Sequence, residues 1–245
     1  MVALRSLAET VSHPFVFRRR LPRDLGGRRI YVTTEGGLRY LGPLHRVDPM
    51  LFDIVRRFVQ PGAVVWDVGA NVGLFTFAAA SRAASVLAIE PDSTLVRLLR
   101  RSAAAHAGAV QVLPVAISAQ VGVERFVIAK RSRSTNYLSG YGTTQTGGVR
   151  EVQIVPTVTL DWLAQHFPAP DVVKIDVEGG EVAALEGAAN LLRNVAPIVI
   201  CEVAGAHADA VGGLLCSKGY RLYDGEQAGF PAIDIPTCNT IAIRG

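Results

Sequence analysis

Asp67-Val-Gly-Ala-Asn-Val-Gly73 is the stretch whose reading decides the fold. It follows an apolar run, Val64-Val65-Trp66, and leads into Leu74-Phe75-Thr76-Phe77. A buried strand, a glycine-rich turn and a helix in that order predict the first βα unit of an open parallel sheet. Gly69 and Gly73 allow a sharp turn and the close approach of a ligand. The helix start beyond them supplies unpaired N–H groups and a positive dipole end. A nucleotide-like or carboxylate-bearing ligand is therefore expected here.

The register narrows the ligand. A dinucleotide turn reads Gly-x-Gly-x-x-Gly. From Gly69 this chain reads Gly, Ala70, Asn71, Val, Gly73, Leu74. Asn71 stands where a second glycine would admit a pyrophosphate, which counts against a nicotinamide-dependent oxidoreductase. Asp67 would repel a pyrophosphate and suit a cationic or amine-bearing group. S-adenosylmethionine has a sulfonium and an ammonium and no phosphate. Glu90, followed by Pro91, ends the next predicted strand, 86–90. A carboxylate there can accept both ribose hydroxyls of an adenosine. A solvent-facing strand end is the plainer alternative.

Outward from this unit the strand–helix rhythm continues. Helices are expected at 73–82, 92–107, 160–167, 181–193 and 206–218, and further parallel strands at 110–117, 172–177 and 197–203. Strands 220–224 and 240–244 close the chain. Strands 124–130 and 150–159 read as an antiparallel pair around a polar loop, 132–148, a candidate lid in which Asn136, Tyr137 and Tyr141 could meet a sugar. Upstream, 29–34 and 38–44 read as a hairpin around Glu35-Gly36-Gly37, and Asp48-Pro49 caps a helix. The fold class is α/β, Rossmann-like, with a mostly parallel sheet and helices on both faces. Two regions are expected: an extension, 1–60, forming a substrate cap or a subunit contact, and a catalytic domain, 61–245.

The second motif is Lys174-Ile-Asp-Val-Glu-Gly179. Asp176 and Glu178 share one face by the period of two. Helix capping is the plainer role for Glu178. Glu202 ends the following strand and His207 lies just beyond. Carboxylates ending neighbouring strands suit a hydroxyl-rich substrate, a divalent cation such as Mg²⁺ on Asp176 and Glu202, or both. Methyl transfer to oxygen needs an aligned hydroxyl and a destination for its proton. Asp176, Glu202 or His207 could receive it, with Lys174, Glu178 and His45 as further substrate contacts. No Asn-Pro-Pro-Tyr-like segment, a mark of base or amide nitrogen methylation, follows the fourth strand.

Composition bounds the partners. Of 245 residues, 49% are hydrophobic and 19% charged, which excludes a disordered chain. No apolar stretch is long enough to span a membrane, and 1–17 lacks the pattern of a signal peptide. The net charge is +4, with arginines gathered at Arg18-Arg19-Arg20, Arg23, Arg28 and Arg29. Basic and aromatic residues do not interleave as nucleic-acid binding needs, so no nucleic-acid partner is expected. An anionic lipid, a phosphorylated acceptor or a homodimer contact stays open for the arginines and the extension. Three cysteines without a Cys-x-x-Cys pair fit a reducing, cytoplasmic compartment.

Asp67-Val-Gly-Ala-Asn-Val-Gly73, Ala88-Ile-Glu-Pro91, Thr157-Val-Thr-Leu-Asp161, Lys174-Ile-Asp-Val-Glu-Gly-Gly-Glu181 and Cys201-Glu202 together resemble the FkbM family of S-adenosylmethionine-dependent methyltransferases. The resemblance covers about residues 60–204. It implies a class I methyltransferase, with a seven-stranded sheet whose last strand is antiparallel. It also implies O-methylation, often of a sugar hydroxyl in an antibiotic, glycolipid or polysaccharide. Gly69, Asn71 and Glu90 would carry cofactor contacts; Asp176, Glu178 and Glu202 match the acidic positions near the acceptor. The chain departs from the family at Arg100-Arg-Ser, where asparagine is common, and in having its first histidine after Glu202 only at His207. A cofactor-binding scaffold without catalysis is the non-enzymatic alternative.

Overall fold

The computed structural model describes residues 15–106, 108–141 and 147–245. The start of the expected extension, 1–14, and the middle of the candidate lid, 142–146, lie outside the described residues.

The chain opens with an antiparallel hairpin, β1 (Val16–Arg20) and β2 (Arg29–Thr33). The expected second strand at 38–44 is not formed. Gly37, Gly42 and Pro43 interrupt pairing there, and the segment makes tight helical turns that bury Tyr40 and Leu44. The partner is instead Val16–Arg20, whose alternation is hidden in the sequence by its arginines. Helix α1 (Pro49–Phe58) follows, capped by Asp48, whose Oδ1 accepts from Leu51 N at 2.9 Å. Such a cap contributes about 1 kcal/mol. Burial of Phe52, Ile54 and Val55 contributes more, about 1.5–3 kcal/mol for each side chain.

The main sheet contains β3 (Val64–Val68), β4 (Ser85–Ile89), β5 (Val110–Leu113), β10 (Val172–Ile175), β11 (Ile198–Glu202), β12 (Tyr220–Asp224), β13 (Ala232–Ile233) and β14 (Asn239–Arg244). Its spatial order is β5-β4-β3-β10-β11-β14-β12-β13. The first five of these are parallel, and β14 inserts antiparallel between β11 and β12. The two-residue β13 adds an eighth, edge strand to the expected seven. Helices α2 (Leu74–Ala79), α3 (Ser93–Ala103), α4 (Leu160–Leu163), α5 (Glu181–Glu186) and α6 (Ala208–Cys216) connect the strands. Val65 faces one core with α1, α2 and α3; Trp66 and Val68 face the other, with Leu185 and Val211. Leu21, Ile30 and Val32 of the hairpin belong to the first of these cores.

A second sheet, β6 (Ala116–Ile117), β9 (Val149–Val158), β7 (Gly122–Ala129) and β8 (Tyr137–Leu138), is inserted between β5 and β10. The single strand expected at 110–117 therefore divides. Pro114 has no N–H for the ladder, so pairing with β4 ends at Leu113 and Ala116 pairs with Thr157.

Candidate active site

The chain order of the main sheet reverses between β3 and β10, the point where open α/β sheets bind ligands. Lys174 lies in register with Asp67, and Ile175 with Val68. Just past β3, Gly69 has φ +79°, and a Cβ there would stand 1.8 Å from the carbonyl oxygen of Asp176. Only glycine lets the two strand ends come this close. A cavity of about 360 Å³ opens at the junction, lined by Gly69, Asn71, Glu90, Ile117, Phe126 and Asp176 among others.

One half of the cavity is built around Glu90. Its Oε2 accepts from Asn71 N and its Oε1 from Asp92 N, both at 2.9 Å. The side chain is buried, and that burial pushes its pKa up to about 8 against the stabilising N–H of Asp92. The turn's amides are engaged internally. Gly69 N and Ala70 N donate to Ile89 O at 3.0 and 3.1 Å, and Gly73 N to Ala70 O at 2.8 Å. These amides do not form the open cradle a pyrophosphate needs. Asn71 itself lies in the left-handed region (φ +52°), and its buried Oδ1 has no protein partner.

A strap closes over this half. Arg133 binds Glu35 through Nε and Asp92 through Nη1, the latter at 2.6 Å. Arg150 also reaches Glu35, at 3.1 Å. Asn136 gives Nδ2 to Asp92 Oδ2 (2.8 Å) and accepts from Ala129 N at 2.9 Å. Asp92 meanwhile caps α3 through its other oxygen, accepting from Thr94 N at 2.7 Å. The strap thus joins residues before α1, the turn after β4 and the second sheet.

The other half is acidic. Asp176, Glu178 and Glu202 line it with Arg39. Lys174 Nζ sits 2.7 Å from Asp176 Oδ2. Burial opposes the lysine's charge, but the Asp176 and Asp67 carboxylates outweigh it and raise its pKa. Burial, then the neighbouring Asp176 and Glu202 charges, push Glu178 up to about 8. Asp176 pushes Glu202 up to about 7, with burial adding to it. Glu202 keeps solvent contact, and water screens part of that repulsion.

The Methyltransferase FkbM domain matches residues 67–222, well over half of the chain. The chain belongs to the FkbM methyltransferase family. Hexuronic acid methyltransferase AglP of Haloferax volcanii is 29% identical over 153 residues, 60% of this chain and 60% of AglP. AMB antimetabolite synthetase AmbE of Pseudomonas aeruginosa is 39% identical over 87 residues, 35% of this chain and 4% of AmbE. The FkbM methyltransferase of Methylobacillus flagellatus KT aligns over 74% of this chain and 43% of its own, with 14% identity and a TM-score of 0.45. The chain thus spans less than two thirds of the length of AglP and of that structure.

Within this family member the predicted residues divide into those that line the cavity and those that do not. Gly69, Asn71, Glu90, Pro91, Asn136, Asp176, Glu178 and Glu202 line it. Asn136 does so with both ends of its amide committed to the strap. Asp67 and Lys174 lie behind the wall: Asp67 accepts from Thr76 Oγ1, and Lys174 meets the cavity only through Asp176. Ala70 and Gly73 are turn and packing residues; a Cβ on Gly73 would strike Phe77 at 2.4 Å. His207 pairs with Glu181 (3.3 Å), which also accepts from Gly179 N at 2.8 Å, so His207 braces the turn after β10 outside the cavity. Two expected substrate contacts lie elsewhere. Tyr137 points to the outer side of the second sheet with Arg125 and Val127, and His45 lines a separate arginine-rich hollow. The reason at Tyr137 is strand parity: its neighbour Leu138 takes the inward face. At His45 it is Leu44 that turns into the core.

Among the described residues, no three His, Cys, Asp or Glu side chains are arranged to hold a metal ion. Asp176 Oδ2 already faces the Lys174 ammonium, so the geometry adds no support to the expected Mg²⁺ site. Sequence reasoning did not find Arg39, Glu35, Asp92 or Arg133. A single carboxylate or arginine in a turn carries no spacing signal, and their pairing crosses up to 98 positions.

Proposed function

We infer that the chain transfers a methyl group from S-adenosylmethionine to a hydroxyl of a saccharide. The observation that carries this is the division of one cavity at Gly69. On one side stands a buried carboxylate, Glu90, beside a turn with its amides engaged. On the other stand three carboxylates at neighbouring strand ends. The first side suits a neutral nucleoside with a ribose diol, and Ile117 and Phe126 suit its base. Asn71, whose Nδ2 donates to Gly36 O at 3.2 Å, fixes the turn against the segment before α1 on that side. When bound, S-adenosylmethionine supplies an electrophilic methyl on sulfur.

The acidic side binds and deprotonates the acceptor. Asp176, held by Lys174, accepts a hydrogen bond from a neighbouring saccharide hydroxyl and so orients the ring, leaving the proton of the reacting hydroxyl directed at Glu202. Glu202, with its raised pKa, takes the proton as the oxygen–carbon bond forms and the sulfur–carbon bond breaks. Glu178, protonated at neutral pH, donates to a second saccharide oxygen. AglP, a hexuronic acid methyltransferase, supports the saccharide class. Three unpaired cysteines support a cytoplasmic setting, and no helix among the described residues is long and apolar enough to cross a membrane.

The test is label transfer from methyl-tritiated S-adenosylmethionine into a saccharide extract, followed by mild alkali. Alkali-stable label in saccharide is expected from a methyl ether. Alkali-labile label, the mark of an ester, or label in nucleic acid would overturn the hydroxyl assignment.

A further inference from the structure

Residues 38–46 border two hollows. Leu38 and Arg39 line the cavity, while Pro43, Leu44 and His45 line a second hollow of about 730 Å³. Its remaining walls come from the hairpin and the turn between its strands, chiefly Arg18, Arg20, Arg23 and Arg29, and no carboxylate lines it. Arg20 and Arg29 stand directly opposite in register. Like charges at such positions are unfavourable. Asp24, next to Arg23, is turned away to Arg56 at 2.7 Å. Among the described residues no ion pair joins Arg18, Arg20, Arg23 or Arg29 to a carboxylate. Arg19 plays a different part. Its Nε donates to Tyr40 O (3.1 Å) and its Nη2 to Leu41 O (2.9 Å), tying the arginine strand to the segment that carries Arg39.

Four guanidinium groups without a carboxylate partner surround a concave surface, over a floor of buried Leu21 and Leu44. They make a site for a compact polyanion. Guanidinium forks match the paired oxygens of phosphate better than any other common anion except carboxylate. A lone carboxylate has too little charge to match four cations. We propose that this hollow holds the phosphate or diphosphate through which the acceptor saccharide is carried. The proposal rests on the saccharide reading of the neighbouring cavity. The two hollows share one short segment, with Arg39 on the side of the cavity and Pro43 and His45 on the side of the arginines.

The experiment is calorimetric titration of the full chain with inorganic pyrophosphate, with and without saturating S-adenosylhomocysteine. The wild type should bind in both cases. The Arg20→Ala/Arg29→Ala variant should bind at least about tenfold more weakly, since one hydrogen bond between charged groups is worth about that factor. Both side chains are exposed and repel each other across the hairpin, so its thermal midpoint should not fall. Arg20→Lys/Arg29→Lys should recover part of the affinity by charge alone. Equal binding by the alanine variant would overturn the proposal. So would pyrophosphate expelled by S-adenosylhomocysteine, which would place it in the cavity. A third contradiction would be sedimentation with phosphatidylglycerol vesicles without pyrophosphate binding, making the hollow a membrane surface. Failure of S-adenosylhomocysteine itself to bind would count against the methyl-transfer reading alone, because the pyrophosphate result is read without it.

Discussion

Gly69→Ala perturbs the junction on which both halves of the cavity depend. Two costs follow from the structure. At φ +79° a residue with a Cβ carries roughly 1–2 kcal/mol of conformational strain. The new Cβ would also stand 1.8 Å from the Asp176 carbonyl oxygen, so β3 and β10 must separate at their ends. Overpacking against backbone costs about 1–3 kcal/mol more. The total, about 2–5 kcal/mol, lies below the roughly 5–15 kcal/mol that hold a typical domain together. The variant should therefore fold, and its urea midpoint should fall at unchanged slope. Gly62→Ala is the control. Gly62 has nearly the same φ, +83°, but nothing lies within 4 Å of a Cβ there. It should show the conformational cost alone. The difference between the two variants then measures the close approach, and only Gly69→Ala should weaken S-adenosylhomocysteine binding. Equal destabilisation by both would refute the argument that the strand ends demand glycine at 69.

Three further outcomes are expected. Arg133→Ala should cost up to about 3 kcal/mol in urea unfolding, because Arg150 and Asn136 keep Glu35 and Asp92 partly compensated; Arg133→Lys should restore only part, lacking the fork that reaches both carboxylates. Glu178 has a folded pKa near 8 above an ordinary value of 4.5, so its contribution to stability is full below pH 4.5 and is lost as pH rises through 8; Glu178→Gln should flatten the fall in thermal midpoint over that window. Glu202→Gln should slow methyl transfer by about 10²–10⁴-fold while leaving S-adenosylhomocysteine affinity unchanged, as expected for a group that handles only the acceptor's proton.

The sheet was legible because its strands are continuous apolar runs ended by chemistry-bearing residues. Val64–Val68 with its glycine turn and Val172–Ile175 with Asp176 beyond it report buried parallel strands and their active ends together. The cavity's carboxylates, Glu90, Asp176, Glu178 and Glu202, were legible for the same reason, since strand ends converge at the switch point whatever lies between them. What stayed hidden was built by residues far apart in sequence. Val16–Arg20 looks like a solvated basic run, yet it pairs with Arg29–Thr33, with Phe17 and Arg19 half-buried between the exposed Val16, Arg18 and Arg20. Pro114 redirects a strand into a second sheet, a tertiary consequence that local apolarity does not encode. Lys174 and Asp67 were recognised as charges near the site. That their side chains lie behind the wall follows only from the register that sets them side by side.

Every step of the proposed chemistry depends on this cavity taking S-adenosylmethionine, through Glu90, and not a dinucleotide. The decisive measurement is calorimetric titration of the full chain with S-adenosylhomocysteine and, separately, with NAD, with Glu90→Gln alongside. Glutamine offers one acceptor oxygen where Glu90 offers two to the backbone amides, so it disturbs the turn as well as the ribose contact. One S-adenosylhomocysteine should bind per chain, weakened about three- to tenfold by Glu90→Gln in line with the loss of one hydrogen bond, and NAD should give no heat. Binding of NAD, or S-adenosylhomocysteine affinity indifferent to Glu90→Gln, would contradict the assignment.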